Sequence, residues 1–175
     1  MKEDDRKVIE GTLCIIKVNN KYLLRLETRG INKDCWIFPG GSYERNKSGA
    51  RELGIECAIR ETQEETGLTP LDLRLRARIF FDNFKRIFPG KTEVATFDYD
   101  ALYFYSENFR ESPELRKEQG EIGWFSYEET RNLAMHKGDL RLLEELELRP
   151  QEEIFEGVVV HEGTKLEYAS FHTIG

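Results

Sequence analysis

Cysteine is scarce in this chain, with three residues among 175 at irregular spacing. An odd number without a clustered pattern argues against a disulfide framework and against a structural zinc site. We therefore expect Cys14, Cys35 and Cys57 to be reduced thiols, as is usual in the cytoplasm. Cys57 falls within a helix predicted below, where a lone thiol is expected to serve packing.

Long apolar runs, repeats and linkers are also missing. Because the N-terminal segment is not apolar, we expect no signal peptide, no membrane span and a cytoplasmic location. The five prolines and fourteen glycines form no linker, so residues 1–175 are predicted to be one domain with a substantial core. Positive charge is in deficit, and the net charge of −7 argues against a general nucleic-acid-binding role.

Acidic residues, by contrast, are concentrated in the segment 60–68, Arg-Glu-Thr-Gln-Glu-Glu-Thr-Gly-Leu. On a helix that advances by about 100° per residue, Glu61, Glu64 and Glu65 fall within roughly 100° of one another. Like charges at this spacing destabilise a helix by about 0.2–0.5 kcal/mol per pair. A hard divalent cation would reverse that effect, because Mg²⁺ selects oxygen ligands. The alternative interpretation is a solvated acidic face on a surface helix.

The same helix has a second face that is suited to packing. Ile55, Ile59, Thr62 and Thr66 recur at spacings of four, three and four, which predicts one stripe turned towards a core. Gly67 follows the last turn, where a left-handed C-cap is expected. One face would then pack while the adjoining face presents the acids.

The segment from Gly41 to Leu68 resembles the signature of the Nudix hydrolases, G-x5-E-x7-R-E-U-x-E-E-x-G-U, in which U is a bulky apolar residue. The matching positions, which also include the family's Gly-Gly-x-x-Glu start, are Gly40, Gly41, Glu44, Glu52, Arg60, Glu61, Glu64, Glu65, Gly67 and Leu68. Thr62 departs from the pattern because an apolar residue is usual there. Ten residues rather than five separate Gly41 from Glu52. This five-residue insertion is polar and turn-like, as a surface loop should be, and either lies over the cleft or is tolerated surface.

The resemblance implies an α/β (α+β) fold: a mixed β-sheet sandwiched between helices, with the signature as a loop–helix–loop. The residue patterns agree with this fold class. A hairpin is predicted at Asn19-Asn20. Strands are predicted at residues 10–18, 21–27, 36–38, 71–81, 92–105, 123–126, 154–161 and 166–171, and helices within 127–133 and 139–146.

The resemblance also implies an enzyme that hydrolyses the phosphoanhydride of a nucleoside diphosphate linked to another group. Its cofactor would be Mg²⁺, or Mn²⁺, which neutralises phosphate oxygens and acidifies bound water. By the same resemblance, the metal ligands are the carboxylates of Glu61, Glu64 and Glu65 and the carbonyl of Gly41. Arg60 is expected to orient one of these carboxylates.

Acids outside this ligand set are expected to have structural roles or to supply an additional ligand. Glu44 and Glu52 are expected to hold the loop–helix–loop together, with a ligand role for Glu52 as the alternative. Glu118 and Glu121 are the candidates for an additional metal ligand from outside the signature. The general base is left open, because family members differ in which glutamate serves.

Segments outside the signature resemble the MutT-like branch, the 8-oxo-dGTP diphosphatases. They are residues 29–36, which lead into the glycine pair, and residues 135–139, followed by a predicted helix and two strands. In that branch an acid at the position of Asp139 can read the purine edge, and a nearby aromatic can stack on the base. The candidates for substrate binding are Arg25, Arg29, Phe81 and Asp139. Glu27 and His136 depart from the branch, which has relatives with a cation and a tryptophan there.

These features favour hydrolysis of a nucleoside triphosphate, such as an oxidised purine deoxynucleotide, to the monophosphate and pyrophosphate. Rival readings are an ADP-ribose or sugar-nucleotide hydrolase, a dinucleoside polyphosphate hydrolase, and a non-catalytic nucleotide sensor. The intact set of three glutamates argues against the sensor. The expected partner is a small nucleotide, and the chain would act as a monomer or homodimer.

A group of aromatics and cations allows two interpretations. Phe80, Phe81, Phe84 and Phe88 with Lys85 and Arg86 could stack a base and hold phosphates, or could be core aromatics on a strand that ends in solvated cations. His161 and His172 are predicted to be structural or exposed.

Overall fold

A computed structural model of the chain describes residues 7–29, 33–45, 47–87, 94–118, 120–162 and 165–174. Side chains are described for these residues except 83–87, 94–97, 161, 162 and 165. Phe88 and the side chains of Phe84, Lys85, Arg86 and His161, which entered the sequence predictions, therefore lie outside the description. Among the described residues, no helix is long and apolar enough to cross a membrane.

Strands and helices follow one another in mixed order. The strands are β1 (Val8–Val18), β2 (Lys21–Leu26), β3 (Trp36–Ile37), β4 (Gly40–Ser42), β5 (Leu68–Leu71), β6 (Arg74–Ile87), β7 (Val94–Ser106), β8 (Asn108–Glu111), β9 (Ile122–Phe125), β10 (Phe155–Glu162) and β11 (Lys165–Thr173). The helices are α1 (Gly54–Thr66), α2 (Tyr127–Thr130) and α3 (Lys137–Leu148), with a 3₁₀ turn at Pro113–Leu115.

A nine-stranded sheet forms the centre of the molecule, with the main order β11-β10-β6-β7-β1-β2-β3; β4 pairs with β1, and β9 pairs with β2. The pairs β1–β7 and β10–β6 are parallel and the others are antiparallel, so the predicted mixed sheet is confirmed. β5 and β8 form a separate two-stranded sheet. The hairpin at Asn19-Asn20 is also confirmed, because both residues have positive φ, as the favoured two-residue hairpin turn requires.

Helices cover both faces of the sheet beside β1. Ile15 belongs to the larger buried cluster together with Leu142 and Leu143 of α3. The side chain of the preceding residue, Cys14, points to the other face of the sheet, where it contacts Thr62 of α1. Successive side chains of a strand point to opposite faces, so one strand separates the two helices.

The buried stripe of α1 differs from the predicted one. Ile55 is 37% exposed, whereas Cys57, Ala58 and Thr62 are fully buried. The helix is therefore rotated so that the line through Ala58, Thr62 and Glu65 faces inward. Thr62 can stand where an apolar residue is usual because its hydroxyl donates to the carbonyl of Ala58 at 2.7 Å. The predicted C-cap is confirmed, since Gly67 has φ 72°.

Short strands were missed by the sequence prediction, and several bounds were wrong. β4, β5 and β8 are absent from the predicted strands: β4 begins with two glycines, and β5 contains Pro70, which is tolerated only where a ladder lacks a second neighbour. The strand predicted at 71–81 begins at Arg74, after Asp72 turns the chain with φ 51°. The helix predicted at 127–133 ends at Thr130, and the one at 139–146 spans Lys137–Leu148.

Candidate active site

The glycine pair in β4 brings the backbone close to the acids of α1. A Cβ atom on Gly41 would lie only 2.6 Å from Oε1 of Glu61, so a side chain here would displace that carboxylate. The amide of Gly40 donates to Oε2 of Glu65 at 2.8 Å. Glycine at both positions thus lets β4 lie directly against the carboxylates of Glu61 and Glu65.

Arg60 is the centre of the carboxylate cluster. Its guanidinium donates to both oxygens of Glu52, at 3.1 and 2.6 Å, and to Oε1 of Glu61 at 2.7 Å. Glu44 and Glu64 lie 3.7 and 3.8 Å from the same group. The hydrogen bonds from Arg60 lower the pKa of Glu52. The contact expected between Arg60 and a signature carboxylate is therefore present, and Glu52 is engaged in holding the loop to the helix.

Glu65 is the most deeply buried acid of the cluster, at 5% exposure. Its Oε1 lies 2.7 Å from Nη2 of Arg25, a guanidinium that also contacts Glu27 at 3.1 Å. Burial raises the pKa of Glu65, and the contacts with Arg25 and the Gly40 amide oppose that rise only in part. Arg25, predicted to bind substrate, is itself nearly buried and faces a predicted metal ligand.

The loop after the 3₁₀ turn lies against the end of α1. The amides of Lys117 and Glu118 both donate to the carbonyl of Glu64, at 2.8 and 3.0 Å, and the ammonium of Lys117 contacts the Glu64 carboxylate. The carboxylate of Glu118 lies 3.9 Å from Arg25 and 3.5 Å from Arg29. Glu121 is exposed and contributes its backbone carbonyl to the sheet. Of the two candidates from outside the signature, the structure brings Glu118 to the cluster.

The donor set fits a hard divalent cation in its chemistry, since it consists of carboxylates and a backbone carbonyl. Within the described ranges, however, no three His, Cys, Asp or Glu side chains are gathered closely enough to hold a metal as they stand. The acids are instead paired with Arg60, Arg25 and Lys117. Metal binding would therefore require the carboxylates either to release these cations or to use the oxygens that do not contact them.

A second group of predicted residues lies in a buried aromatic cluster at the start of α3. Asp139 is 6% exposed and accepts a hydrogen bond from the Tyr103 hydroxyl at 3.2 Å. Phe81 stacks edge-on against His136, with 6.2 Å between ring centres. A Cβ on Gly138 would lie 2.8 Å from the Phe81 ring, so glycine lets the helix start beside that ring. Burial raises the pKa of Asp139 to about 7.

Tyr99 connects this aromatic cluster with the acid cluster. Its ring lies 6.2 Å from that of Phe81, and its hydroxyl and the Gly41 carbonyl both face Gly11, where a Cβ would collide with the two of them. Tyr99 and Tyr103 were not singled out from the sequence. The available signal was the alternation of Tyr99, Tyr103 and Tyr105 with other residues in the predicted strand. Lys117 gave no such signal, because its contact with Glu64 spans 53 positions.

The insertion between Gly41 and Glu52 forms a small closed hairpin. Arg45 and Arg51 face each other in an antiparallel bridge. At its base the amide of Glu44 donates to Oε1 of Glu52 at 2.7 Å, and the amide of Glu52 donates to the carbonyl of Glu44 at 3.1 Å. The extra residues thus leave the sheet and return without displacing Glu52 from Arg60.

Comparison with known proteins identifies the family. A sequence model of the NUDIX domain matches residues 10–146. The chain accordingly belongs to the Nudix family, as a hydrolase of nucleoside diphosphate derivatives, and such enzymes generally use divalent metal ions. The uncharacterized Nudix hydrolase YvcI of Bacillus subtilis (strain 168) is 28% identical over 133 residues, which cover 76% of this chain and 75% of that protein.

Solved structures share the fold. The mutator MutT protein of Bacillus halodurans matches with a TM-score of 0.69 at 22% identity, covering 93% of this chain and 97% of its own. The NUDIX domain of Shewanella oneidensis NrtR, solved in complex with ADP ribose, matches with a TM-score of 0.58 at 11% identity, covering 85% of this chain and 94% of its own. These matches support the MutT-like resemblance at the level of the fold.

Proposed function

We propose that this chain is a magnesium-dependent nucleoside triphosphate diphosphatase that acts on oxidised purine deoxynucleotides and releases the monophosphate and pyrophosphate. The carboxylates of Glu61, Glu64 and Glu65 and the Gly41 carbonyl would hold the metal, with Glu118 as the additional ligand. Bound Mg²⁺ would neutralise phosphate oxygens and acidify water. Arg60 would keep Glu61 in position.

The observation that carries the substrate assignment is the buried pair of Asp139 and Tyr103 beside Phe81. A carboxyl group with a pKa near 7 can either donate or accept a hydrogen bond at neutral pH. An oxidised purine differs from the normal base in the donors and acceptors along its edge, and a buried polar group discriminates strongly between partners that satisfy it and those that do not. Phe81 and Tyr99 would supply the apolar contacts with the ring.

A nucleotide panel tests this proposal directly. The purified chain is assayed with normal and oxidised purine and pyrimidine triphosphates and with ADP-ribose, with Mg²⁺, with Mn²⁺ and with chelator. We expect metal-dependent release of pyrophosphate, with the highest kcat/KM on an oxidised purine.

Asp139→Ala should reduce kcat/KM on that substrate by at least about tenfold, because each lost hydrogen bond to a charged or buried group is worth about 1.5–3 kcal/mol. It should leave pyrimidine substrates nearly unaffected. Equal losses on both classes would reject the purine-reading role.

ADP-ribose hydrolysis is the second candidate, favoured by the structural neighbour that was solved with ADP ribose. The same panel separates the two, because hydrolysis of ADP-ribose yields AMP and ribose phosphate rather than pyrophosphate. A chain that binds one nucleotide tightly and hydrolyses none of them would instead be a sensor.

A further inference from the structure

A cleft of about 490 Å³ opens between the start of β1 and the segment that carries the insertion. Lys7, Arg45 and Arg51 line it together with one carboxylate, that of Glu10. Three cations against one anion give the cleft a net charge of +2, in a chain whose net charge is −7. This local reversal of sign favours an anionic ligand.

The insertion supplies two of the three cations. Arg45 and Arg51 stand opposite each other in the bridge of the hairpin, and like charges placed directly across a ladder destabilise it. Arg51 is held by the Glu10 carboxylate at 2.5 Å and by the ring of Tyr43, whose centre lies 4.3 Å from the guanidinium carbon. Arg45 donates to the carbonyl of Gly49 at 2.9 Å. An anion bound in the cleft would offset the like charges of Arg45 and Arg51.

The cleft adjoins the candidate active site at Ser42. Ser42 lines the cleft, and its carbonyl accepts a hydrogen bond from Arg60 at 3.2 Å. Along β1, Glu10 in the cleft is followed by Gly11, which faces Gly41 and Tyr99. The cleft and the acid cluster are therefore neighbours, and Tyr99 links the acid cluster to the aromatic cluster.

We propose that this cleft is a subsite for the terminal phosphates of a nucleoside polyphosphate. The inference rests on the proposed function, in which the base lies against Phe81 and the acids act on the phosphoanhydride between base and cleft. Arginine suits phosphate oxygens because its donors form a planar fork. A chain of phosphates would place its charge against Lys7 and Arg45, whereas the distal sugar of ADP-ribose would place a largely neutral group there.

The first test measures binding of inorganic tripolyphosphate to the full chain by calorimetry, with chelator present and ionic strength fixed. Lys7→Gln/Arg45→Gln should weaken binding at least about tenfold, the loss of two charge-assisted contacts. Arg45→Lys in place of Arg45→Gln should restore part of the affinity, because it returns the charge without the planar fork. Glu10→Gln, which removes the anion from the cleft, should increase the affinity. The control is Lys21→Gln, an exposed cation after the far end of β1 that pairs with Glu129 at 3.9 Å.

The second test measures kcat/KM for a nucleoside triphosphate and for the corresponding diphosphate. The double variant should lower the preference for the triphosphate by a similar factor, and Lys21→Gln should leave the preference unchanged. Equal tripolyphosphate affinity in wild type, double variant and control would overturn the subsite, even if nucleotides are hydrolysed. An equal loss in the Lys21→Gln control would also overturn it, since the effect would then be one of overall charge. If no nucleotide is hydrolysed, the proposed function fails, and tripolyphosphate binding still decides on the subsite.

Discussion

At the scale of single residues, the acids of α1 differ in their surroundings although they share one signature. Glu65 is buried against Arg25, Glu61 is held by Arg60, and Glu64 faces the exposed ammonium of Lys117. Removing one partner of a buried charge pair is strongly destabilising, because the other charge is left unpaired. Glu64 is therefore the acid whose replacement best separates metal binding from folding.

Glu64→Gln should lower kcat by at least about 10²-fold, because a mispositioned metal no longer neutralises the phosphates. Binding of Mn²⁺, followed by calorimetry, should weaken in parallel, while the urea midpoint changes little because Lys117, the partner of Glu64, is exposed to solvent. Glu128→Gln, an exposed acid on α2, is the control and should behave as wild type. Full activity and unchanged Mn²⁺ affinity in Glu64→Gln would remove Glu64 from the set of ligands.

Asp139 should make stability depend on pH with a sign opposite to that of most acids. Burial raises its pKa in the folded state from 3.8 to about 7, so between these values the folded chain binds a proton that the unfolded chain releases. Stability should therefore fall as pH rises from about 4 to about 7, and stay at the lower level above that range. Each unit of pKa difference is worth about 1.4 kcal/mol, so a difference of about three units gives a loss on the order of 4 kcal/mol.

Asp139→Asn removes this titration and keeps the shape of the side chain. The difference in unfolding free energy between wild type and variant, from urea titrations at pH 4.5 and pH 8, should shift in favour of the variant at the higher pH. Parallel pH profiles in the two proteins would contradict the assignment.

At the scale of elements, local signals predicted the signature helix better than its surroundings. The spacing of Glu61, Glu64 and Glu65 and the C-cap at Gly67 depend on neighbouring residues, and both can be read from sequence. The residues that pair with these acids cannot be read from sequence. Arg25 reaches Glu65 because β2 pairs with β1, and α1 packs against β1. Lys117 reaches Glu64 through a loop that follows β8. Strand order and long loops decide such contacts, and the sequence pattern carries no direct record of them.

The rotation of α1 has a similar cause. Thr62 and Thr66 of the predicted stripe are buried, but Ile55 is exposed. The face that packs also contains Ala58 and Glu65, which the apolar pattern did not indicate. Close approach of β1 and β4 favours small side chains there, and the threonine hydroxyl is satisfied within the helix. Periodicity of hydrophobicity therefore pointed about one quarter turn away from the buried stripe.

The insertion hairpin should be dispensable for folding. Deleting residues 46–50 restores the family spacing and leaves Glu44 and Glu52 free to keep their reciprocal hydrogen bonds. The expected change in unfolding free energy is within about 1 kcal/mol, because loop closure entropy varies slowly with length. Urea unfolding checks this, with near-ultraviolet circular dichroism to confirm native packing. Loss of a cooperative transition would show that the hairpin supports the core.

At the scale of the whole molecule, the sheet extends beyond the region that matches the family. The match ends at residue 146, yet β10 and β11 continue the central sheet from β6. Phe155 of β10 is fully buried and belongs to the same cluster as Phe38 and Tyr103. Arg76, 1% exposed, donates to the carbonyls of Glu153 and Arg149 and lies 5.2 Å from the Phe155 ring. We infer from these contacts that residues 1–175 fold as one unit.

Phe155→Ala tests whether the chain folds as one unit, because it changes β10 while the two tryptophans that report unfolding lie in other strands. Trp36 and Trp124 belong to β3 and β9, which lie at the opposite end of the strand order from β10. Truncating a buried phenylalanine costs about 3–5 kcal/mol, which at an m value of about 1–3 kcal/mol/M lowers the urea midpoint by at least about 1 M. If the chain is one cooperative unit, tryptophan fluorescence and far-ultraviolet circular dichroism should report the same lowered midpoint.

Val158→Ala, at a position of β10 that is 40% exposed, is the matched control and should shift the midpoint little. A fluorescence midpoint that stays at the wild-type value while circular dichroism shows a separate early transition would mean that the last two strands fold independently of the rest.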